Sequence, residues 1–242
     1  MMALERIKPS VQLIDSWGSE DLVAGMTDVI YRGAPPSSRV PQERVERRIR
    51  SFLRDGHHSV LEFMGASWLL ECSRACTHEL IRHRVASYWQ ESQRYVDYGR
   101  GWFRVVAPPG LDVGDAGLSH YLSLERMGAP PEDARYALGN AVASRIWVQM
   151  NAREFFLAFL PLRTGLGAFH EIRLVAWLMF SAVAGRFPVT ARWAWEHVTD
   201  HPDYCRGLKA EDRAECRSKS IIDAFTKWGV EVPSELTQFM GE

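Results

Sequence analysis

The residues of this chain best suited to chemistry lie together in one stretch, residues 82–95, with the sequence RHRVASYWQESQRY. Guanidinium groups suit phosphates and the flat edges of heterocycles, because each offers paired donors in a fixed plane. A solvated basic turn is the alternative that composition alone leaves open. The clustering of planar, multi-donor side chains favours a binding site for a small anionic ligand.

The overall composition excludes several other functions. The chain has 242 residues, of which 46% are hydrophobic, and a net charge of −1. This size supports one large α+β domain or two small ones, and the charge is unlike that of a general nucleic-acid binder. The longest apolar run, Leu174–Gly185, is shorter than the roughly 20 residues of a membrane span, and no signal peptide is evident. We predict a cytoplasmic protein with no nucleic-acid or membrane partner.

The cysteines do not follow a metal-binding pattern. Cys72 and Cys76 are four residues apart, unlike the paired C-x2-C knuckles of structural zinc sites. A metal site that also uses His78 and His83 is the alternative. We predict no metal, and reduced, packed cysteines, including Cys205 and Cys216.

The elements around the central stretch are predicted from apolar periodicity. Val45, Ile49 and Leu53 recur at helical spacing, which predicts an amphipathic helix over residues 41–55. A strand is predicted over 63–72 and a helix over 74–82, after which the central stretch runs as irregular chain. A further strand is predicted over 103–106. From residue 118 onward the chain is predicted to be mostly helical, with a long buried helix over 168–185.

The same central stretch resembles the signature of the flavin-dependent thymidylate synthases, in which RHR is followed, after seven residues, by Ser92. Four further segments resemble elements of that family in the same order. They are DGHHS (55–59), GAPPEDAR (128–135), NAR (151–153), and LR (162–163) with EIR (171–173). The resemblance covers about residues 40–185, within a single domain of residues 1–242.

The resemblance implies an α+β fold with a mixed sheet and long helices, assembled as a homotetramer with FAD at subunit interfaces. The implied reaction is C5 methylation of dUMP to dTMP, with methylenetetrahydrofolate supplying the carbon and NADPH the electrons. No protein thiol attacks the pyrimidine in this family, and the central stretch indeed lacks cysteine.

The resemblance also implies roles for individual residues. Arg173 stabilises the electron-rich, N3-deprotonated pyrimidine, and Ser92 orients it; these two form the catalytic set. The implied cofactor-binding set is His57, Ser59, Arg82, His83, Arg84, Gln90, Arg163 and Gly167. The implied substrate-binding set is Glu79, Arg82, Gln90, Glu91, Ser92, Gln93, Arg94, Arg153 and Arg173.

Two of these assignments have structural alternatives. Arg173 would instead form a surface ion pair, with Glu171 for example. His57 and Ser59 would instead belong to a helix C-terminal turn with a capping histidine, and His58 is predicted to be exposed and without a role.

The chain departs from the family pattern at Trp89, Glu91, Gly167 and Phe169. A carboxylate at Glu91 would accept a hydrogen bond from a hydroxyl that dUMP lacks, and buried polar groups discriminate hydroxyls well. A second hypothesis is therefore a paralogue that methylates UMP in nucleoside antibiotic biosynthesis. A flavin- or nucleotide-binding protein without turnover, or an RNA-stacking protein, is the remaining alternative.

Overall fold

The computed structural model describes residues 4–35, 40–101, 103–205 and 213–241. Within these ranges, six strands form two sheets: β1 (Glu5–Ile7), β2 (Ser10–Trp17), β3 (Gly65–Ser73), β4 (Ala86–Gln90), β5 (Arg104–Val106) and β6 (Ala143–Asn151). The main sheet has the order β2-β3-β6-β4 and is antiparallel throughout, whereas β1 and β5 form a separate parallel pair. The resemblance implied one mixed sheet. The structure instead has an antiparallel sheet and a separate parallel pair of strands.

Helices connect and follow these strands. They are α1 (Glu20–Arg32), α2 (Gln42–Arg54), α3 (Arg74–Leu80), α4 (Leu118–Arg126), α5 (Pro131–Ala134), α6 (Leu160–Thr164), α7 (His170–Ala184), α8 (Pro188–His197), α9 (Arg213–Trp228) and α10 (Ser234–Met240). A π-helical segment, Glu154–Phe159, leads into α6. Among the described residues, none of these helices is long and apolar enough to cross a membrane.

The predicted helices flanking the central stretch are confirmed. In α2 the residues Val45, Ile49 and Leu53 are buried on one face, as their spacing indicates. Pro41 caps the start of α2, and Gly56 follows its end at φ +78°, a left-handed conformation that glycine adopts readily. The long apolar α7 is buried along almost its whole length between the sheet and α9.

Two strands contradict the sequence-based assignments. Residues 86–90, expected to be irregular, form the edge strand β4, and residues 143–151, expected to be helical, form β6 in the sheet interior. In β6 the side chains of Ile146, Val148 and Met150 are buried, whereas the residues between them are exposed. This period-two alternation is the signal for a half-buried strand.

The cysteine prediction is half right. Cys72 and Cys76 are free and buried. Cys205 and Cys216 are not reduced, because they form a disulfide that joins the chain after α8 to α9. The tertiary fold brings these two thiols together. Their spacing in the sequence did not indicate this.

Candidate functional site

The chain turns after α3, so that the middle residue of the RHR triplet is buried and the two arginines are exposed. The amides of Arg82 and His83 donate to the carbonyls of Glu79 and Leu80, at 3.3 and 3.2 Å. His83 is buried, whereas Arg82 and Arg84 are exposed. Within the described residues, neither arginine has an ion-pair partner. Both guanidinium groups are therefore available to a ligand.

His83 is the centre of a buried polar chain. Its Nδ1 lies 3.1 Å from Glu154 Oε1, and Arg163 Nε donates to its Nε2 over 3.0 Å. Arg163 also donates to the carboxylate and the carbonyl of Glu79, at 2.9 and 3.0 Å. Because arginine only donates, the proton of His83 resides on Nδ1. Burial lowers the pKa of His83, with Arg163 adding to the effect and Glu154 opposing it, so the ring is neutral at pH 7.

A cleft of about 540 Å³ opens beside this polar chain. It is lined by Arg82, His83, Arg84, Glu154, Leu157, Ala158, Leu162, Arg163 and His201. Arg163 pairs with Glu79, and Glu154 bonds to the neutral ring of His83, so the two charges of Arg82 and Arg84 outweigh that of Glu154 and give the cleft a net positive charge. Cationic and apolar walls together fit a ligand that carries both anionic groups and a ring.

The segment after β4 forms a tight turn. The carbonyl of Ser92 accepts from the amides of Tyr95 and Val96, at 3.2 and 3.0 Å. The Ser92 hydroxyl accepts from the amide of Arg94 at 3.3 Å. The Arg94 guanidinium forms a half-exposed ion pair with Glu132, at 3.0 Å. Ser92, which is half-buried, and the exposed Arg94 thus lie in one turn, and their role in substrate binding stays a prediction.

Gln90 and Glu91 face different partners. Gln90 Nε2 donates to Thr77 Oγ1 and Ser144 Oγ, at 3.0 and 2.9 Å, which fixes the amide against α3. The Glu91 carboxylate accepts from the hydroxyl of the buried Tyr98 at 3.2 Å. The structure therefore fixes both side chains. Glu91 is held by Tyr98, which was not among the predicted site residues.

Glu91 lines a second cleft, of about 430 Å³. The other lining residues are Tyr95, Val96, Asp97, Arg100, Arg104 and Arg145. Glu71 forms ion pairs with Arg104 and with Arg145, the latter at 3.2 Å, and Arg100 pairs with Asp97 at 2.8 Å. In this second cleft, unlike the one beside the RHR triplet, every arginine has a carboxylate partner, although two of them share Glu71.

Trp89 lies on the outer face of the sheet. Its side chain is 75% exposed and stacks on Trp147 of β6, with 6.2 Å between ring centroids. Tyr88 points to the other face, where its hydroxyl bridges the carbonyls of Leu80 and His83 at 2.9 and 2.7 Å. Trp89 is therefore separated from the His83 side of β4.

Arg153 lies at the opposite end of the sheet from Ser92. In the antiparallel pair β4–β6, Gln90 faces Ile146, and the amide of Glu91 donates to the carbonyl of Arg145. Ser92 is thus level with the start of β6, whereas Arg153 follows its end. Eight residues of strand at about 3.3 Å each put about 25 Å between them. Arg153 instead forms a half-exposed ion pair with Glu62, at 2.6 Å.

Arg173 projects from α7 and is 9% exposed. Within the described residues its Nε is buried without a hydrogen-bond partner. Burial lowers the pKa of Arg173, while the charges of Asp223 and Tyr204 oppose this effect. The alternative ion pair with Glu171 is absent, because Glu171 accepts from the amide and hydroxyl of Ser73, at 2.7 and 2.6 Å. Arg173 shares this feature with other buried groups, such as Nε of Arg217, so the unpaired donor is compatible with the predicted ligand-binding role without testing it.

Of the remaining predicted site residues, Gln93 is half-buried in the turn after β4 and the others lie at the surface. His57, Ser59 and Gly167 are exposed. His58 is half-buried rather than exposed, and its Nε2 bonds to the carbonyl of Leu53 at 3.0 Å. The capping histidine of α2 is therefore His58, while the imidazole of His57 packs edge-on against Phe52, with 6.5 Å between ring centroids.

Cys72, Cys76 and Glu171 converge in the core, with their ligand atoms within 4.8 Å of one another. Both oxygens of Glu171 already accept hydrogen bonds from Ser73. His83 lies in the separate polar chain with Glu154. The histidine-containing metal site considered from the sequence is therefore not assembled.

The comparisons of this chain with known proteins all point to one family. Residues 12–189 match the family described as Thymidylate synthase complementing protein. A flavin-dependent thymidylate synthase of Pyrobaculum aerophilum is 46% identical over 227 residues, covering 91% of this chain and 92% of that protein. One from Sulfolobus acidocaldarius is 33% identical over 202 residues, covering 78% of this chain and 77% of that protein.

Among solved structures, the UMP/dUMP methylase PolB from Streptomyces cacaoi, bound with 5-Br dUMP, has a similar fold. The TM-score is 0.70 at 24% identity, over 80% of this chain and 97% of that chain.

Proposed function

Because this chain belongs to the Thymidylate synthase complementing protein family, we propose that it catalyses flavin-dependent C5 methylation of dUMP to dTMP. Methylenetetrahydrofolate supplies the carbon. When bound, FAD supplies the redox chemistry, with NADPH as the source of electrons. The observation that carries the proposal is the cleft beside His83, where Arg82 and Arg84 have no ion-pair partner among the described residues.

The residues around this cleft fit an anionic dinucleotide. Arg82 and Arg84 would hold its phosphates, because charge-assisted contacts from guanidinium groups are the strongest available to phosphate oxygens. Arg163 and His83 keep the cleft wall in place through their mutual hydrogen bond. His57 and Ser59 would complete the cofactor site from the turn after α2, with Gly167 from the loop before α7.

Arg173 would stabilise the pyrimidine while its ring is deprotonated at N3. A nearby positive charge lowers the pKa of an acidic group by about 1–3 units. The guanidinium of Arg173 has no ion-pair partner within the described residues. Its charge is therefore available to the substrate, and Ser92 would orient the ring for reaction.

The cysteines support a route without thiolate attack. Cys72 and Cys76 are fully buried, and burial raises the pKa of Cys76 well above its usual range. Cys205 and Cys216 are joined in a disulfide. A nucleophilic thiolate needs an exposed, electropositive environment, which none of the four has.

We also propose a homotetramer with active sites shared between protomers. Ser92 and Arg94 would bind the nucleotide phosphate together with Arg153, yet Arg153 lies about 25 Å from Ser92 along β6. One phosphate cannot contact both ends of the strand. The three residues can meet only if Arg153 comes from a neighbouring copy of the chain.

Methylation of UMP is the second candidate. Tyr98 holds the Glu91 carboxylate in the wall of the second cleft. From there the carboxylate would accept a hydrogen bond from a ribose 2′-hydroxyl. The structural similarity to PolB, at 24% identity, indicates a common fold and does not decide the sugar.

Tritium release from [5-³H]dUMP and [5-³H]UMP, with FAD, methylenetetrahydrofolate and NADPH, tests both candidates. Release from dUMP supports thymidylate synthesis, and preferential release from UMP supports the ribonucleotide methylase. A flavin-containing protein that releases tritium from neither nucleotide would refute the proposed methylation.

A further inference from the structure

His201 lines the cleft beside the RHR triplet, although it lies outside residues 12–189 that match the family. It follows α8 and a short 3₁₀ turn, and its side chain is half-buried. The segment after α8 thus contributes a side chain to the same cleft as Arg82 and Arg84. No signal in the sequence associated His201 with this cleft.

The hydrogen bonds of His201 define which ring nitrogen is available. The amide of Asp203 donates to His201 Nδ1 at 3.3 Å. A neutral ring that accepts at Nδ1 carries its proton on Nε2. His201 can therefore present an Nε2–H donor to a ligand in the cleft.

Four contacts anchor the backbone around His201. The amide of Tyr204 donates to the His201 carbonyl, and the Tyr204 carbonyl accepts from the amide of Leu166, both at 3.0 Å. Gly165 packs so closely that an added Cβ would lie 3.1 Å from the Cα of Tyr204. The disulfide from Cys205 to Cys216 ties the same segment to α9. His201 is therefore held beside the loop that follows Arg163.

The charge of the cleft indicates the chemical class of ligand that His201 would meet. Arg163 pairs with Glu79, and Glu154 bonds to the neutral ring of His83, so Arg82 and Arg84 leave the cleft with a net positive charge among the described residues. Each phosphodiester carries one negative charge, so this net positive charge favours a diphosphate bridge.

We propose that His201 donates through Nε2 to the diphosphate of the bound dinucleotide flavin and completes an anion site with Arg82 and Arg84. This inference rests on the proposed function, because it takes FAD as the occupant of the cleft. It adds a cofactor-binding residue from the segment beyond the family match.

The test compares dissociation constants of FAD and of riboflavin, which lacks phosphate, for protein freed of bound flavin. The variants are H201A, H201Q, R84A as positive control, and H120Q, a change at an exposed histidine on α4. Loss of one charge-assisted hydrogen bond should weaken FAD binding about 10- to 100-fold in H201A. H201Q should retain part of the affinity, since its amide also donates, and H120Q should match the unmodified protein. Riboflavin affinity should not change in H201A.

Three results would overturn the inference. Unchanged FAD affinity in both His201 variants, with R84A weakened, would remove His201 from the site and leave the proposed function standing. An equal loss of FAD and riboflavin affinity would show that His201 does not act on the diphosphate. If the unmodified protein binds no FAD, both the inference and the proposed function fail. Circular dichroism of H201Q distinguishes lost binding from lost folding.

Discussion

Arg163 donates from Nε to Nε2 of His83 over 3.0 Å, across eighty residues of sequence. This bond fixes the proton of His83 on Nδ1, which faces Glu154. Both ring nitrogens are thereby used inside the protein. His83 acts on the cleft by holding Arg163 and the turn, while Arg82 and Arg84 present their guanidinium groups. A direct contact between His83 and flavin remains a prediction.

Replacing His83 by Ala should therefore affect stability as well as flavin binding. The buried groups of Glu154 and Arg163 would lose their partner, at a cost of about 2–4 kcal/mol in the free energy of unfolding. R84A should weaken flavin binding without this cost, because Arg84 is exposed and has no ion-pair partner within the part of the chain that the structure describes. Urea unfolding and the flavin content of both variants provide the measurement. Equal stability of H83A and R84A would contradict the stabilising role of the buried polar chain around His83.

Replacing Arg173 should reduce turnover more than cofactor binding. Removal of one preorganised electrostatic contact typically lowers kcat about 10²- to 10³-fold. We expect R173A to fall in this range, while R47A, at an exposed position on α2, remains fully active. The measurement is kcat from tritium release alongside flavin content. A variant that retains its kcat would leave Arg173 with a structural role only.

The proposed sharing of active sites between protomers can be tested by co-expressing two impaired variants. R94A and R153A should each lose about 10- to 100-fold in kcat/KM, because each removes a charge-assisted phosphate contact. Co-expression of the two should restore activity, since intact Arg94 and intact Arg153 then meet between different copies. S92A co-expressed with R94A serves as the control, because both changes affect the same half of the site. The absence of any recovery would refute sharing.

Glu91→Gln tests which sugar the second cleft prefers. Glutamine keeps an acceptor for Tyr98 but loses the charge, so the preference for UMP over dUMP should fall by about tenfold, equivalent to about 1.4 kcal/mol. The measurement is kcat/KM for both nucleotides, with Y98F as a variant that frees the carboxylate. An unchanged ratio in E91Q would exclude Glu91 as a reader of the 2′-hydroxyl.

Glu171 should make stability depend on pH. Burial raises the pKa of Glu171 to about 7, against the hydrogen bonds from Ser73 that lower it. Between pH 4.5 and 7 the native carboxyl keeps a proton that the unfolded chain releases, so stability from this group decreases as pH rises. The expected loss is about 3 kcal/mol across that window. Thermal unfolding of E171Q should lack this slope, and identical slopes would contradict the assignment.

The sequence by itself determined the family and the elements whose signals are local. The RHR triplet with Ser92 and the four further segments predicted the family to which the chain belongs. The apolar spacing of Val45, Ile49 and Leu53 predicted α2, and the long apolar run predicted α7. These signals depend only on neighbours within a few turns of the chain, and so they can be read from one sequence.

The tertiary structure decided what depends on distant residues. β4 and β6 become strands because they pair with each other in the sheet, and the period-two alternation within β6 is weaker than the helical patterns around it. The disulfide of Cys205 and Cys216, the engagement of His83 by Glu154 and Arg163, and the position of His201 all join segments that only folding brings together. Side-chain hydrogen bonds act over about 3 Å in space whatever the separation in sequence, so no local pattern encodes them.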